Sequence, residues 1–189
     1  MYDRLKRRVR FFQSYQRSPL WDTNVSPPEL IDFLENHPAG RAIDIGCGTG
    51  TNLITMAEKG WVVEGVEFIA KAVRTARRKI KDSDLPIHIH YADFFSYPIL
   101  AASYDLVLDM GCYHSLLDED KRLYEEKVAH SLVHGGYYLL YGFLKTDAHR
   151  HAITLNDIEM LSTQLTLLKD ERSLGVGERP AVWLLFQRT

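Results

Sequence analysis

The chain has 189 residues, a length that fits one domain with a sizeable core. Apolar residues make up 46% of it and charged residues 25%, and its net charge of −2 gives no reason to expect a polyanion as partner. The sequence shows neither an apolar run long enough to span a membrane nor the apolar region of a signal peptide. Its two cysteines suggest neither a disulfide framework nor a zinc site, so we expect one cytoplasmic domain, residues 1–189, without a metal or a membrane anchor.

The first 17 residues form a basic segment that carries six arginines or lysines against one acid. Leu5, Val9 and Phe12 recur at helical spacing, which predicts an amphipathic helix. Three interpretations stay open: a solvated helix packed on the domain, a lid over the active site, and a contact with an anionic ligand or RNA. We therefore treat residues 1–37 as an N-terminal helical or lid extension.

The next helix signal is the sequence Ser26-Pro27-Pro28-Glu29. Ser26 at the N-cap, Pro27 in the first turn and Glu29 at the third position would form a capping box. The apolar residues that follow continue the helix to about Asn36–Pro38.

A glycine-rich turn follows a short apolar run, Ala42–Ile45, which predicts a buried strand. Three glycines stand at alternate positions, Gly46, Gly48 and Gly50, and a helix-forming segment begins directly after them. Glycine lets the backbone approach a ligand closely because it has no Cβ, and a helix N-terminus offers unpaired N–H groups. The pattern therefore predicts a nucleotide-like cofactor lying across a strand, a turn and a helix.

Two residues of this stretch indicate which cofactor it binds. Thr51 stands where the dinucleotide fingerprint G-x-G-x-x-G has its third glycine. Asp44 lies just ahead of the first glycine, and its carboxylate would be unfavourable beside a pyrophosphate but favourable beside a positive charge. S-adenosylmethionine carries an ammonium and a sulfonium and no phosphate, so it suits this turn better than a dinucleotide.

Trp61–Glu67 predicts the second strand, and Glu67 ends it about 20 residues beyond the glycines, where an acid meets the ribose hydroxyls in doubly wound nucleotide-binding folds. The helix over residues 69–80 has one apolar stripe, and we expect its many lysines and arginines to form a solvated face. Residues 87–91 alternate as a third strand, whose two histidines have no third metal ligand in view.

The rest of the chain continues the alternation of strands and helices. The predicted elements are a fourth strand at Tyr104–Gly111, a helix over Asp118–His134 with Leu123, Tyr124, Val128 and Leu132 inward and Gly135–Gly136 closing it, a fifth strand at Tyr137–Phe143, a helix near Thr154–Thr163, and two strands at Leu165–Glu171 and Ala181–Gln187. This order predicts a mainly parallel, doubly wound α/β sheet with helices on both faces.

Ligands of such sheets lie at the carboxyl ends of the strands. We therefore expect the segment Asp109–His114, which ends the fourth strand, to border the reacting group. The loop after the fifth strand and the 175–180 hairpin loop should open on the same side. Four side chains would then come within reach of a substrate: His114, Arg150, His151 and Arg179.

At this point the chain resembles a known family. The motif D-x-G-C-G-T-G, Asp44–Gly50, closing an apolar strand resembles the class I S-adenosylmethionine-dependent methyltransferases. Trp21-Asp22-Thr23 followed by Pro27–Leu30 resembles the lead-in of their small-molecule members of the thiopurine, thiol, halide and tellurite-resistance type. The resemblance implies a Rossmann-like sheet of seven strands in the order 3-2-1-4-5-7-6, the last strand antiparallel, with S-adenosylmethionine as cofactor and S-adenosylhomocysteine as product.

The resemblance also implies roles at matching positions. Trp21 and Asp22 would help to enclose the cofactor, although a buried tryptophan that anchors the N-terminal segment is an equal alternative. Asp93 would bind the adenine amine, with Phe94 behind the ring and Phe68 near it. The full set of predicted cofactor contacts is Trp21, Asp44, Gly46, Cys47, Gly48, Gly50, Asn52, Glu67, Phe68, Asp93, Phe94, Asp109, Met110 and Gly111.

An oxygen or nitrogen acceptor would often need a base, and His114 is the one titratable side chain placed for that role. It would act as a general base, as a wall of the substrate pocket, or as a structural residue. We expect methyl transfer to a small molecule, favouring a soft nucleophile. The alternatives are an RNA or protein methyltransferase and a catalytically inactive cofactor-binding partner protein. Nucleic acid is the less favoured substrate because the fourth strand ends in D-M-G-C-Y-H and not in the N/D-P-P-Y/F of many base-amino methyltransferases. The sequence leaves the oligomeric state open.

Overall fold

The computed structural model describes residues 9–15, 19, 22–147 and 151–189. A seven-stranded sheet lies at its centre, with the strands β1 Arg41–Ile45, β2 Val62–Glu67, β3 Ile87–Tyr91, β4 Tyr104–Met110, β5 Leu132–Phe143, β6 Thr166–Leu174 and β7 Pro180–Gln187. The strand order is β3-β2-β1-β4-β5-β7-β6. Neighbouring strands from β3 to β5 run parallel, whereas β7 runs antiparallel to both β5 and β6. The predicted Rossmann-like, doubly wound fold is confirmed.

Helices pack around this sheet. They are α1 at residues 9–15, α2 Pro28–Asn36, α3 Thr51–Glu58, α4 Ala70–Lys79, α5 Asp118–Ser131 and α6 Leu155–Leu161. Short 3₁₀ turns follow β4 at Tyr113–Ser115 and join β6 to β7 at Val176–Glu178. None of the helices in the described ranges combines the length and the apolar character that crossing a bilayer requires.

The strand β1 shows why both faces of the sheet are covered. Ala42 belongs to an apolar cluster with Leu30 of α2 and Leu53 of α3, whereas Ile43 belongs to a separate cluster with Val128 of α5. Consecutive strand residues point to opposite faces, so a central parallel strand needs apolar side chains on both. The one acidic residue of β1, Asp44, lies next to the last position of the strand, at its carboxyl end.

The predicted capping box at Ser26 is wrong. The residue that precedes the first helical turn of α2 is Pro27, and no side chain caps this helix. The Ser26 hydroxyl lies 2.8 Å from Oδ1 of Asn52 and 2.9 Å from Oγ1 of Thr55 instead. Because the helix begins one residue later than predicted, its N-cap is a proline without a polar side chain, and the Ser26 hydroxyl contacts α3 beside the glycine turn.

The predicted closure of the long helix at Gly135–Gly136 is also wrong. Helix α5 ends at Ser131, and β5 begins at once at Leu132, which pairs with Tyr104 of β4. Within β5 the glycine serves another purpose, because a Cβ on Gly136 would lie 2.9 Å from the Tyr104 carbonyl oxygen. Leu123, expected to face inward, is exposed.

Candidate active site

A cavity of about 560 Å³ lies at the carboxyl ends of the strands, as the fold predicts. Most of the predicted site residues line it: Asp44, Gly46, Cys47, Gly48, Asn52, Glu67, Phe68, Met110, Gly111 and His114. Gly50, Asp93, Phe94 and Asp109 lie outside this lining. Trp21 lies outside the described residues.

The glycine turn needs its glycines for two physical reasons. Gly46 and Gly48 have φ values of +75° and +54°, which L-residues with a side chain rarely adopt. A Cβ on Gly46 would also lie 2.2 Å from Sγ of Cys112, and one on Gly48 would lie 2.7 Å from the Tyr15 hydroxyl oxygen. The turn therefore packs against both the strand β4 end and helix α1.

Asp44, at the β1 end, is a buried carboxylate. It is 2% exposed, and its enclosed Oδ2 receives no hydrogen bond from any residue that the structure describes. Burial raises the pKa of this carboxyl well above its usual value, and the nearby charges of Asp109 and Glu67 raise it further. Because Asp44 also lines the cavity, a cation bound there would supply the interaction that the protein itself does not.

Glu67 ends β2 on the same cavity and holds the glycine turn in place. Its Oε2 accepts a hydrogen bond from the amide of Gly48 at 3.1 Å, and its Oε1 accepts one from the amide of Ile69 at 2.6 Å. Burial raises the pKa of Glu67, while these amide hydrogen bonds lower it. A carboxylate oxygen accepts more than one hydrogen bond, so Glu67 can still receive hydroxyl donors from the cavity.

Asp109 is engaged by the protein itself. Its side chain is fully buried, and it accepts hydrogen bonds from the amides of Cys112 at 2.7 Å and Tyr113 at 3.0 Å, and from the Tyr124 hydroxyl. Burial raises its pKa to about 6. These bonds fix the turn that carries Gly111 and His114, so Asp109 acts on the cavity through the loop it holds.

Asp93 and Phe94 line a separate, smaller cavity of about 30 Å³ that Phe68 also borders. Asp93 Oδ1 accepts a hydrogen bond from the Phe95 amide at 3.0 Å. Phe94 is buried, with its ring centroid 4.9 Å from that of Tyr124. This small cavity lies directly beside the main one, since both are lined by Phe11, Gly46, Phe68, Cys112 and Ser115.

His114 lies in the 3₁₀ turn after β4, and its ring packs edge-to-face on Phe143 at 5.1 Å between centroids. Its Nδ1 is buried without a partner, and a Cβ on Gly142 would lie 3.2 Å from that atom. Burial lowers the pKa of His114 to about 4, helped by the charges of Arg179 and other cations. The imidazole is therefore neutral at pH 7, and within the described part of the chain no carboxylate orients it.

Two more predicted substrate-side residues line the same cavity, His151 and Arg179, whereas Arg150 lies outside the described residues. Arg179 lies between the 3₁₀ turn of the hairpin and the start of β7, and its guanidinium carbon is 4.0 Å from the centroid of the Phe143 ring. Its Nη2 donates to the His151 carbonyl oxygen at 3.4 Å. Tyr141 and Phe143, at the β5 end, supply aromatic walls.

A polar network beside the glycine turn was not predicted from the sequence. Asp22 Oδ1 accepts a hydrogen bond from the Thr49 hydroxyl at 2.6 Å. Lys79 Nζ donates to Asn24 Oδ1 at 2.7 Å and to Thr49 Oγ1 at 3.0 Å. Lys79 is exposed, as expected for the basic face of α4, and its ammonium group joins this network. A run of basic residues in the sequence does not indicate which of them contacts a neighbouring loop.

Comparison with known proteins agrees with this fold. A family model described as "Methyltransferase domain" matches residues 42–136, half of the chain. An uncharacterized methyltransferase of Schizosaccharomyces pombe is 26% identical over 109 residues, covering 58% of this chain and 75% of that protein. A protein of Arabidopsis thaliana described as "Probable thiol methyltransferase 2" is 28% identical over 122 residues, covering 61% of this chain and 53% of that protein.

Among solved structures, 1,6-didemethyltoxoflavin-N1-methyltransferase from Burkholderia thailandensis superposes with a TM-score of 0.82 at 16% identity, covering 100% of this chain and 89% of that one. This likeness bears on the fold, which is that of the class I methyltransferases. The chain belongs to the methyltransferase domain family. The predicted membership of the class I S-adenosylmethionine-dependent methyltransferases is confirmed, with S-adenosylmethionine as the cofactor.

Proposed function

We propose that the protein transfers the methyl group of S-adenosylmethionine to a small-molecule acceptor that is a soft nucleophile. The observation that carries the proposal is one cavity with two unlike ends. At one end the Asp44 carboxylate, whose Oδ2 has no donor among the described residues, lies beside the glycine turn, and at the other His114 and Arg179 pack on Phe143. A volume of about 560 Å³ suits a cofactor together with a small acceptor.

The residues at the acidic end fit the cofactor. Asp44 would bind its ammonium group, because an enclosed carboxylate without a donor favours a cation. Glu67 would accept the ribose hydroxyls, and the backbone of Gly46 and Gly48 would approach the ligand closely. When bound, S-adenosylmethionine supplies a methyl group on a positively charged sulfur, which is an activated leaving group.

The remaining cofactor contacts stay proposals of the same kind. Met110 and Gly111 would border the methyl group. Asn52 would help to hold that end, since its Nδ2 lies 3.6 Å from Sδ of Met110 and its Oδ1 lies near the Ser26 hydroxyl. Phe68 would contact the adenine. Asp93 and Phe94 would reach it only if the small cavity that they line opens into the main one.

On the acceptor side, we assign His114 to the pocket wall. A histidine that acts as a general base is normally oriented through its second nitrogen, and Nδ1 of His114 has no partner. Its lowered pKa also makes it a weak base. A nucleophile that is already deprotonated needs alignment and the exclusion of water more than it needs a base. The similarity to a probable thiol methyltransferase supports the same choice.

We further propose that residues 1–37 act as a lid on a single domain. The described part of the N-terminal segment supports this, because Tyr15 packs on Gly48 and the Phe11 ring lies edge-on against Phe68, 5.9 Å between centroids. Such contacts would cover the glycine turn and exclude water from the cofactor. The cytoplasmic location expected from the sequence stays a prediction.

The test is a binding measurement followed by a methyl-transfer screen. Calorimetry should detect tight binding of S-adenosylhomocysteine and no tight binding of NAD. The screen would offer thiols, halides, oxyanions of tellurium or selenium, phenols and amines, with total RNA and a protein mixture as further acceptors. We expect transfer to a thiol or a halide. Binding without transfer to any acceptor would favour the inactive partner protein, and transfer only to RNA or protein would refute the small-molecule assignment.

A further inference from the structure

The charged side chains that line the cavity are separated by sign along the edge of the sheet. Asp44 and Glu67 lie at the ends of β1 and β2, and Asp22 is held at the glycine turn through Thr49. At the other end of the cavity, His114 lies in the turn after β4, His151 in the loop after β5 and Arg179 directly before β7. Arg10, on α1, also lines the cavity, and its charge helps to lower the pKa of both histidines.

Arg179 has donors to spare at this basic end. Its Nε is buried without a hydrogen-bond partner, and no carboxylate within the described ranges forms an ion pair with it. Glu29, whose charge helps to raise the pKa of Tyr141, does not line the cavity. A guanidinium offers five N–H donors in a planar fork, so this one can bind an anion while it stacks on Phe143.

We infer that the methyl acceptor binds as a small anion, with its charge against Arg179 and its body against the wall that Tyr141 and Phe143 form together. The inference rests on the proposed function, because it assigns the acceptor to the end of the cavity that the cofactor leaves open. An acceptor bound in this way forms its bond to the methyl carbon with its own lone pair and releases no proton, while the electron pair of the broken carbon–sulfur bond stays on sulfur.

The basic end would also activate a weakly acidic acceptor. Positive charges within a few ångströms favour the ionised form of a thiol or phenol. Arg179 and Arg10 would therefore increase the fraction of acceptor that arrives as thiolate or phenolate. This accounts for a site whose histidine is neutral and lacks an orienting carboxylate, because no side chain has to remove a proton.

The test uses benzoate and benzamide, two probes of nearly equal size of which only the first is charged at neutral pH. Calorimetry measures both on the full chain saturated with S-adenosylhomocysteine. The variants are Arg179→Gln, which removes the charge, and Arg179→Lys, which keeps it. The matched control is Arg172→Gln, since Arg172 is an exposed arginine of β6 that pairs with Asp170 at 2.9 Å outside the cavity.

We expect wild-type protein to bind benzoate at least about tenfold more tightly than benzamide. Arg179→Gln should weaken the binding of benzoate by a similar factor and leave the affinity for benzamide unchanged. Arg179→Lys should restore part of the difference between the two affinities. Arg172→Gln should change neither affinity. The inference would be overturned if wild-type protein bound the two probes equally well or did not bind benzoate. It would also be overturned if Arg179→Gln left the affinity for benzoate unchanged. Should that variant fail to fold, the comparison of the probes on wild-type protein decides.

Measuring S-adenosylhomocysteine alone separates this inference from the proposed function. If the wild-type chain does not bind it, the proposed function is refuted and the inference with it. If the chain binds it but shows no preference for the charged probe, only the anionic acceptor is refuted.

Discussion

The change Asp44→Asn should affect folding and cofactor binding in opposite directions. In the free protein the carboxylate is enclosed, has no donor at Oδ2 and lies near the charges of Asp109 and Glu67. The amide keeps the shape and removes the charge, so the strain of burying an unpaired anion disappears. We expect the free protein to gain on the order of 1 kcal/mol, or about 2–4 °C in Tm for a chain of this size.

Cofactor binding should weaken at the same time. Asp44 would give the ligand ammonium a charge-assisted hydrogen bond, and losing one costs about 1.5–3 kcal/mol, or about 10- to 150-fold in Kd. Thermal melts of the free protein and calorimetry with S-adenosylhomocysteine measure the two effects. Asp82→Asn, which removes the same charge from an exposed turn, should change neither.

The pH dependence has a definite sign. Because the folded-state pKa of Asp44 is raised, this group favours folding at low pH, and its contribution is lost as the pH rises through that pKa. A cationic ligand binds the ionised form, so affinity should fall as the pH is lowered through the same pKa, and binding should release a proton. An Asp44→Asn variant with a lower Tm than the wild type and the same Kd for S-adenosylhomocysteine would refute the reasoning.

Three further predictions concern other parts of the site and core. Glu67→Ala should weaken the binding of S-adenosylhomocysteine by about 10- to 150-fold. It should also lower the free energy of unfolding, because two amides lose their acceptor. An unchanged Kd would show that the ribose is held elsewhere. His114→Ala should raise KM and leave kcat within a few-fold, and wild-type kcat should show no step near pH 6–7, since the pKa of His114 is lowered to about 4; a turnover loss of about 10²–10⁴ with such a step would make it the general base. Lys121→Met should cost about 3–5 kcal/mol in chemical denaturation, because it leaves Asp157, 2.7 Å away, as a buried unpaired charge; the exposed Arg122→Met on the same helix should cost well under 1 kcal/mol, and equal losses would contradict this explanation.

The parts of the site that could be predicted from sequence are those fixed by local backbone. The glycines after Ala42–Ile45 demand a turn whichever way the chain packs, and Asp44 and Glu67 follow from their places at strand ends. A strand-end position does not tell which way a side chain turns, so the bonds from Asp109 to the Cys112 and Tyr113 amides could not be foreseen.

Contacts between elements far apart in sequence were the harder part. Ser26 looks like a helix cap in isolation, and its hydroxyl is used by Asn52 and Thr55 only because α2 and α3 pack together. In the sequence, Lys79 is one of several basic residues of α4. Its contact with Thr49 of the glycine turn arises because α4 packs beside that turn. The predicted end of α5 at Gly135–Gly136 is wrong because Leu132 already pairs with Tyr104 of β4, and this strand pairing outweighs the tendency of glycine to end a helix.

The residues proposed to hold the cofactor and most of those proposed to form the acceptor wall come from two different stretches of the sequence. The region that matches the family, residues 42–136, contains the glycine turn, Glu67 and the β4 end. Tyr141, Phe143, His151 and Arg179 all come after it, on β5, the following loop and the hairpin. Exchanging the β6–β7 turn would therefore alter the acceptor wall without disturbing the strands that carry the cofactor, and related proteins could diversify their substrates by changing this short return of the chain alone.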